Sequence, residues 1–262
     1  MSAIKRILFI ATLLLIVVPG TRSFAEDDKF EFTIVPYYWS PTVHGHVTIG
    51  EQTLGGNAGV DQLLDKTDSA VMVQMEARFG RFGLFVQPNY LKVEDTQTVL
   101  NTNVDTTLKA WMTEFGGFFR IAELGAGTPH RTSFDLLIGG RYWGLETDTT
   151  ASAPIVNVTL NNHNNTDVVE PFVGLRLLTH LTEHIIFGGR GDIGGFGIST
   201  NDVKSKLTWQ AITFLGYEFN KVIGVEAGYR WLSIDMEDKN LSVNNETKLT
   251  FNGWIAGVSF RF

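Results

Sequence analysis

Thirteen ionisable residues recur at inward-type positions of otherwise apolar stretches: Glu31, Glu76, Arg78, Glu114, Asp135, Arg141, Glu170, Arg176, Arg190, Asp192, Glu218, Glu226 and Arg230. Every base among them is Arg. A guanidinium offers a planar fork of donors that fits a carboxylate bidentately, and it stays charged where Lys shifts its pKa. The chemistry to expect is a lattice of Arg–carboxylate pairs filling a protected interior. Acids outnumber bases eight to five in this set, so water, cations or bound protons take up the difference.

Hydrolytic and metal chemistry have weaker support. His44 and His46 stand one strand period apart, but two ligands without a third make an incomplete metal site. His180 and His184 in HLTEH flank a turn, and the spacing is not that of a helical zinc motif. His130 and His163 fall in a turn and a loop. Asp95, Asp148, Asp235 and Glu237 lie near the tops of strands, as the solvated rim of a sheet does. No nucleophile–base pair stands out, so the reading is of a non-enzyme with no cofactor and no metal.

The charged residues need elements that alternate with a period of two, and the chain supplies them. The last stretch, Leu249 to Phe262, puts Trp254, Ala256, Val258, Phe260 and Phe262 on one face and Gly257, Ser259 and Arg261 on the other. The same pattern runs through residues 29–40, 69–79, 82–94, 107–120, 131–146, 166–178, 184–197, 206–219 and 222–234, giving ten strands. Short turns such as Gly80-Arg81 and Asn220-Lys221 alternate with long polar stretches. The longest of these, Asp148 to Asn165, is rich in Asn and Thr and reads as an exposed loop. Residues 41–67 are irregular, with a possible hairpin at HGHVTIGEQTLGG and one helical turn at VDQLLD. An even strand number with short turns on one side and long loops on the other fits a barrel that crosses a membrane. The outward aromatics sort into Tyr38, Tyr90, Trp111, Tyr142, Trp209, Tyr229 and Trp231 toward one end, and Phe79, Phe82, Phe119, Phe219, Phe260 and Phe262 toward the other. Two such belts are expected at two lipid interfaces.

Composition places this barrel outside the cytoplasm. Lys5 and Arg6, the apolar run Ile7 to Val18 and Ser23-Phe24-Ala25 form a secretory signal peptide, residues 1–25, ahead of one domain at 26–262. The apolar run is shorter than the roughly 20 residues of a spanning helix. With no Cys, the chain is neither lipid-anchored through a thiol nor stapled by disulfides. Cleavage removes Lys5, Arg6 and Arg22 from the 21 basic residues, leaving 18 against 28 acidic ones and a net charge of −10. That balance excludes nucleic acid as a partner.

The C-terminal strand resembles that of bacterial outer-membrane β-barrel proteins, and the alternation over residues 29–262 is similar to small barrels of the OmpA and OmpW kind. The resemblance implies an all-β fold, an antiparallel up-and-down transmembrane β-barrel of ten strands, monomeric, in the outer membrane of a Gram-negative bacterium. It also implies that Trp254, Val258, Phe260 and Phe262 act as an assembly signal read by the barrel assembly machinery. Lys92, Lys109 and Lys248 share strand parity with Tyr90, Trp111 and Trp254, so they are expected to point outward beyond the upper belt, toward lipid and lipopolysaccharide phosphates. The equal alternative is that they keep strand ends soluble. Barrels of this size have filled lumens more often than open ones. The leading function is therefore a structural or surface-interaction barrel, followed by a narrow porin-like channel for small solutes and then by a lipid- or peptide-hydrolysing enzyme.

Overall fold

A strand exposes unpaired N–H and C=O groups along both edges, and in lipid no water is present to satisfy them, so a sheet crossing a membrane must close on itself. A computed structural model describes residues 30–49, 52–58, 67–99, 102–153, 158–200, 203–238 and 245–262. Its strands are β1 (Phe30–Ile49), β2 (Gln52–Ala58), β3 (Thr67–Phe79), β4 (Phe82–Val99), β5 (Thr102–Leu124), β6 (Thr132–Ala153), β7 (Val158–His180), β8 (Ile185–Gly194), β9 (Ile198–Thr200), β10 (Val203–Glu218), β11 (Ile223–Asp238) and β12 (Asn245–Arg261). Ten of them form the wall in the order β1-β3-β4-β5-β6-β7-β8-β10-β11-β12, and β12 returns to β1. Every wall pairing is antiparallel. Phe262 finishes the seam, exchanging backbone hydrogen bonds with Phe32 at 2.8 and 3.0 Å. The signal peptide and the VDQLLD turn lie outside the described residues.

The outer wall is oily throughout. Phe82, Ile138, Leu175, Leu215, Trp254 and Phe262 are each more than half exposed. A soluble protein does not leave so continuous an apolar surface to water. Tyr90 lies tilted against Trp111 with ring centres 4.4 Å apart, and Tyr229 meets both Trp231 and Trp254 at the upper level. Phe82 and Phe119 pair at 4.8 Å near the lower turns.

Two features depart from the sequence reading. The stretches expected as long loops are largely strand. β6 and β7 stay in register from Tyr142–Val169 up to Ala153–Val158, and β4 and β5 up to Val99–Thr102, so Thr- and Asn-rich hairpins rise above the membrane level. Thr is β-branched and fits a pleated strand without a core. The strand expected over 184–197 ends at Gly194, because Gly195, Phe196 and Gly197 all have positive φ, at 87°, 50° and 74°. The short β9 then resumes pairing with β10. The possible hairpin near residue 50 is present as β1 against β2, with Val43–Ile49 opposite Ala58–Gln52.

One seam is incomplete. β1 pairs with β3 only from Phe30 to Pro36, against Phe79 to Val73. Above that level β3 stays with β4. Among the described residues no strand pairs with β1 on its β3 side between Tyr37 and Thr42, although β12 continues on the other side. Pro36 lies just before this stretch and Pro41 within it, and neither has an N–H to give a ladder.

Candidate functional site

Inward-facing residues stack into layers that can be read along β5 and β6. From the lower turn upward the register pairs Arg120 with Asp135, Phe118 with Leu137, Glu114 with Arg141, and Met112 with Trp143. In an antiparallel sheet opposed residues share a face, so each pair projects into the lumen at one height.

The middle layer is a closed ionic cluster. Glu114 is fully buried and receives Arg141 at 3.3 Å, Arg190 at 2.7 Å and Arg230 at 2.6 Å. Arg141 also binds Glu170 at 3.1 Å and Asp192 at 2.7 Å, and Arg190 reaches Asp192 at 2.9 Å. Gln210 donates to Asp192 at 2.9 Å, Thr208 to Glu170 at 2.8 Å, and Ser205 also donates to Glu170. Gly195 makes room for Ser205, since a Cβ there would stand 2.7 Å from its hydroxyl. Three acids and three bases from five strands thus meet in one layer. Leaving any member of such a layer unpaired is costly in a dry interior.

Below it lies a sheet of rings. Phe85, Phe118, Leu137 and Phe172 form a buried cluster, and guanidiniums sit over the rings: Arg176 over Phe118 at 4.3 Å, Arg141 over Phe172 at 5.1 Å, and Arg190 over Phe172 at 5.3 Å. Phe118 lies across Gly83, where a Cβ would come within 2.1 Å of the ring. Lower still, Asp135 holds Arg120 at 3.0 Å and Arg176 at 2.8 Å, and Arg176 also engages Glu76. At the lower mouth Arg78 pairs with Glu31 at 2.7 Å and Glu218 with Arg261. These last groups line a cavity of about 200 Å³.

The interior is therefore not charged throughout, as the sequence reading expected. Of the proposed lumen residues, the structure gathers Glu114, Arg141, Glu170, Arg190, Asp192 and Arg230 in the middle layer, Glu76 and Arg176 in the next, and Arg78 and Glu218 at the mouth. Glu226 joins none of them: it borders the lower cavity without an ion pair among the described residues. Arg120 and Arg261, which lie outside the thirteen residues of the sequence pattern, also face inward to an acid, which narrows the acidic excess.

Above the ionic layer the lumen turns apolar. Trp39, Met112, Leu232 and Ile234 form a second buried cluster, with Met72, Trp143, Met236 and Phe251 against it. They surround a chamber of about 400 Å³.

The three lysines do not form one patch. Lys92 and Lys109 are opposed in register, whereas Lys248 stands on β12 beyond β3 and β1. Each is held by acids: Lys92 by Glu94 at 2.6 Å, Lys109 by Glu146 at 2.6 Å and Asp148 at 3.6 Å, and Lys248 by Glu246 at 3.4 Å and Asp235 at 3.5 Å. Donor atoms of Glu146, Asp148 and His163 lie within 4.8 Å of one another. Lys109 already supplies the positive charge there. The histidines are scattered: His44 is high on β1, His163 on the β6–β7 hairpin, and His180 inside the lower mouth, 3.9 Å from Glu218. The rim acids Asp235 and Glu237 face Lys248 and Lys206. Of the assembly residues, Trp254, Val258 and Phe262 are exposed on the outer face and Phe260 shares it, half-buried.

A closed ten-stranded antiparallel barrel with an oily, aromatic-belted outer wall and an interior of paired charge is an integral β-barrel protein of the Gram-negative outer membrane. No protein-family model matches the chain, and no curated protein matches it in sequence. Among solved structures it is similar to the outer membrane protease OmpT from Escherichia coli, at 10% identity and a TM-score of 0.48 over 92% of this chain and 99% of that one. It is also similar to the attachment invasion locus protein Ail of Yersinia pestis, at 10% identity and a TM-score of 0.36 over 90% and 99%. Neisserial surface protein A aligns at 11% identity and a TM-score of 0.28 over 89% and 97%. No activity or ligand is carried over from likenesses of this depth.

Proposed function

We propose that this protein is a non-conducting outer-membrane barrel with a structural or surface-interaction role, sealed at mid-height by its own side chains. The observation that supports this reading is the Glu114 layer, in which Glu114, Arg141 and Glu170 are each 0% exposed and span the lumen through direct contacts. An ion passing this level has to displace a charge that is already paired on several sides, and such displacement in a low-dielectric interior costs several kcal/mol, roughly 3–5. The β4–β5 and β6–β7 hairpins rise above the wall and give it a surface to present. Contact of Lys92, Lys109 and Lys248 with lipopolysaccharide phosphates belongs to the same proposal, with the phosphates sharing these lysines with Glu94, Glu146 and Glu246. Insertion by the barrel assembly machinery through the Trp254–Phe262 face, and a monomeric state, complete it.

Planar-bilayer recording of the refolded protein tests the seal. A silent membrane is expected, and stable conductance steps would replace this reading with the narrow porin-like channel. Replacing the three lysines with Gln is expected to lower the melting temperature in lipopolysaccharide-containing bilayers and to leave it unchanged in phospholipid alone.

A further inference from the structure

The seal accounts for the lower lumen and leaves the upper chamber without a role. A lumen whose only task is to be filled has no use for about 400 Å³ of unfilled space. Among the described residues no ionised side chain borders this chamber, although charge dominates the lumen just below it. Its walls are Trp39, Met72, Met112, Trp143, Met236 and Phe251, and the methionines and broad rings adapt to varied apolar shapes. The volume lies within the range of small-molecule pockets. At about 30 Å³ per water-sized group it holds roughly a dozen non-hydrogen atoms.

Two further observations define the occupant. Trp39 lines the chamber, is 7% exposed, and its indole N–H has no hydrogen-bond partner among the described residues. A buried donor left unpaired is costly, and an acceptor brought in by a ligand removes that cost. The second is the incomplete seam between β1 and β3. Tyr38 and Ser40 on β1 and Tyr90 and Trp111 beyond β3 carry outward-facing side chains, yet all four border the chamber, so it reaches the lipid side where the backbone ladder is missing.

We propose that the upper chamber is a binding site for a small, uncharged hydrophobic molecule with one hydrogen-bond acceptor, which enters from the lipid side through the unpaired stretch of β1. The site sits above the Glu114 layer, so its existence does not depend on that layer blocking ions.

The test uses the full barrel refolded into lipid nanodiscs and titrated with 1-naphthol, naphthalene and 1-naphthalenesulfonate, with empty nanodiscs giving the share taken by lipid. Naphthol is expected to saturate at one molecule per barrel, and the sulfonate to bind about tenfold more weakly or worse, because a charge has no partner there. Trp39→Phe should weaken naphthol binding severalfold and leave naphthalene unchanged. Ala110→Trp, or Ala70→Trp in the same layer, should abolish binding of both, with heat-modifiable gel mobility reporting a folded barrel. The chain has no Cys, so Tyr38→Cys with Val71→Cys, joined by a bismaleimide, bridges the seam uniquely and should slow uptake severalfold at unchanged affinity. The site is overturned by uptake no greater than that of empty nanodiscs, by equal binding of the sulfonate, or by binding that survives both tryptophan variants. A Trp39→Phe barrel that keeps its preference for naphthol overturns the polar handle, and an unchanged uptake rate in the bridged barrel overturns the lipid-side route.

Discussion

The two halves of the lumen are built from the same ten strands and solve opposite problems. Below and at the Glu114 level, inward positions carry Glu, Asp, Arg and Phe, packed so that acids meet guanidiniums and guanidiniums lie on rings. Above it, inward positions carry Trp, Met, Leu and Ile, and space remains among them. Apolar packing is non-directional and leaves a gap at moderate cost, whereas a buried charge without a partner is a large loss. The ionic half is therefore the one that fixes the barrel's shape and the apolar half the one with freedom to accept a guest.

The sharpest way to break this contrast is at Glu114. Glu114→Ala leaves three buried guanidiniums short of an acid, and a loss of about 3–5 kcal/mol is expected in urea unfolding of the refolded barrel. Arg141 keeps Glu170 and Asp192, and Arg190 keeps Asp192, but Arg230 has no other carboxylate in the cluster. Glu114→Met combined with Arg230→Met should therefore recover much of the loss. A double variant as unstable as the single one would show that the layer cannot be taken apart pair by pair. One step smaller, Gly83→Ala adds a methyl group beneath Phe118, where the ring stands 2.1 Å from the new atom. The displaced ring disturbs the Arg176 guanidinium stacked on its face, and the expected cost is about 1–3 kcal/mol by the same assay. In the upper half the sign reverses. Ala110→Phe adds a whole ring to the chamber wall and should raise stability by about 0.5–1 kcal/mol, since it fills space already present. Destabilisation there by as much as Gly83→Ala would mean that the two halves are equally tight.

The outer wall was legible in the sequence because one rule governs it: each residue of a run such as Trp254, Ala256, Val258, Phe260 and Phe262 meets the same solvent, lipid. The interior has no single rule. Phe118 and Phe172 are apolar at inward parity, and such residues read as noise in an alternation defined by polar partners, although a guanidinium makes each a fitting lumen residue. Arg120 and Asp135 could be placed on a common face, but Asp135 turned out to be shared with Arg176, because register across three strands decides which fork reaches which acid. The upper chamber leaves no signal in the alternation for the same reason as the rings. The unpaired seam left only Pro36 and Pro41 as traces. The outer hairpins resemble loops in the sequence because Thr and Asn carry no burial signal, yet their backbone ladders continue.

The smallest expected effect lies outside the lumen and tests whether partnership alone, without burial, gives a charge pair value. Asp148 and His163 face each other across the β6–β7 hairpin, exposed and in contact, with Lys109 beside them. The hydrogen bond from His163, with a lesser contribution from Lys109, holds the Asp148 carboxyl below its ordinary value of 3.8. A carboxyl whose folded-state value is depressed contributes stability that is present above the ordinary value and disappears as pH falls through the depressed one. Because both groups are in water, that contribution is screened and small. In a ¹³C NMR titration of the Asp148 carboxyl, the midpoint is expected below 3.8 and should move up toward it in His163→Ala. The urea midpoint at neutral pH should stay within error of the parent. An unmoved titration would assign the depression to Lys109, and a large loss of stability would put the outer hairpin on a par with the Glu114 layer, against the argument that burial is what makes the inner pairs matter.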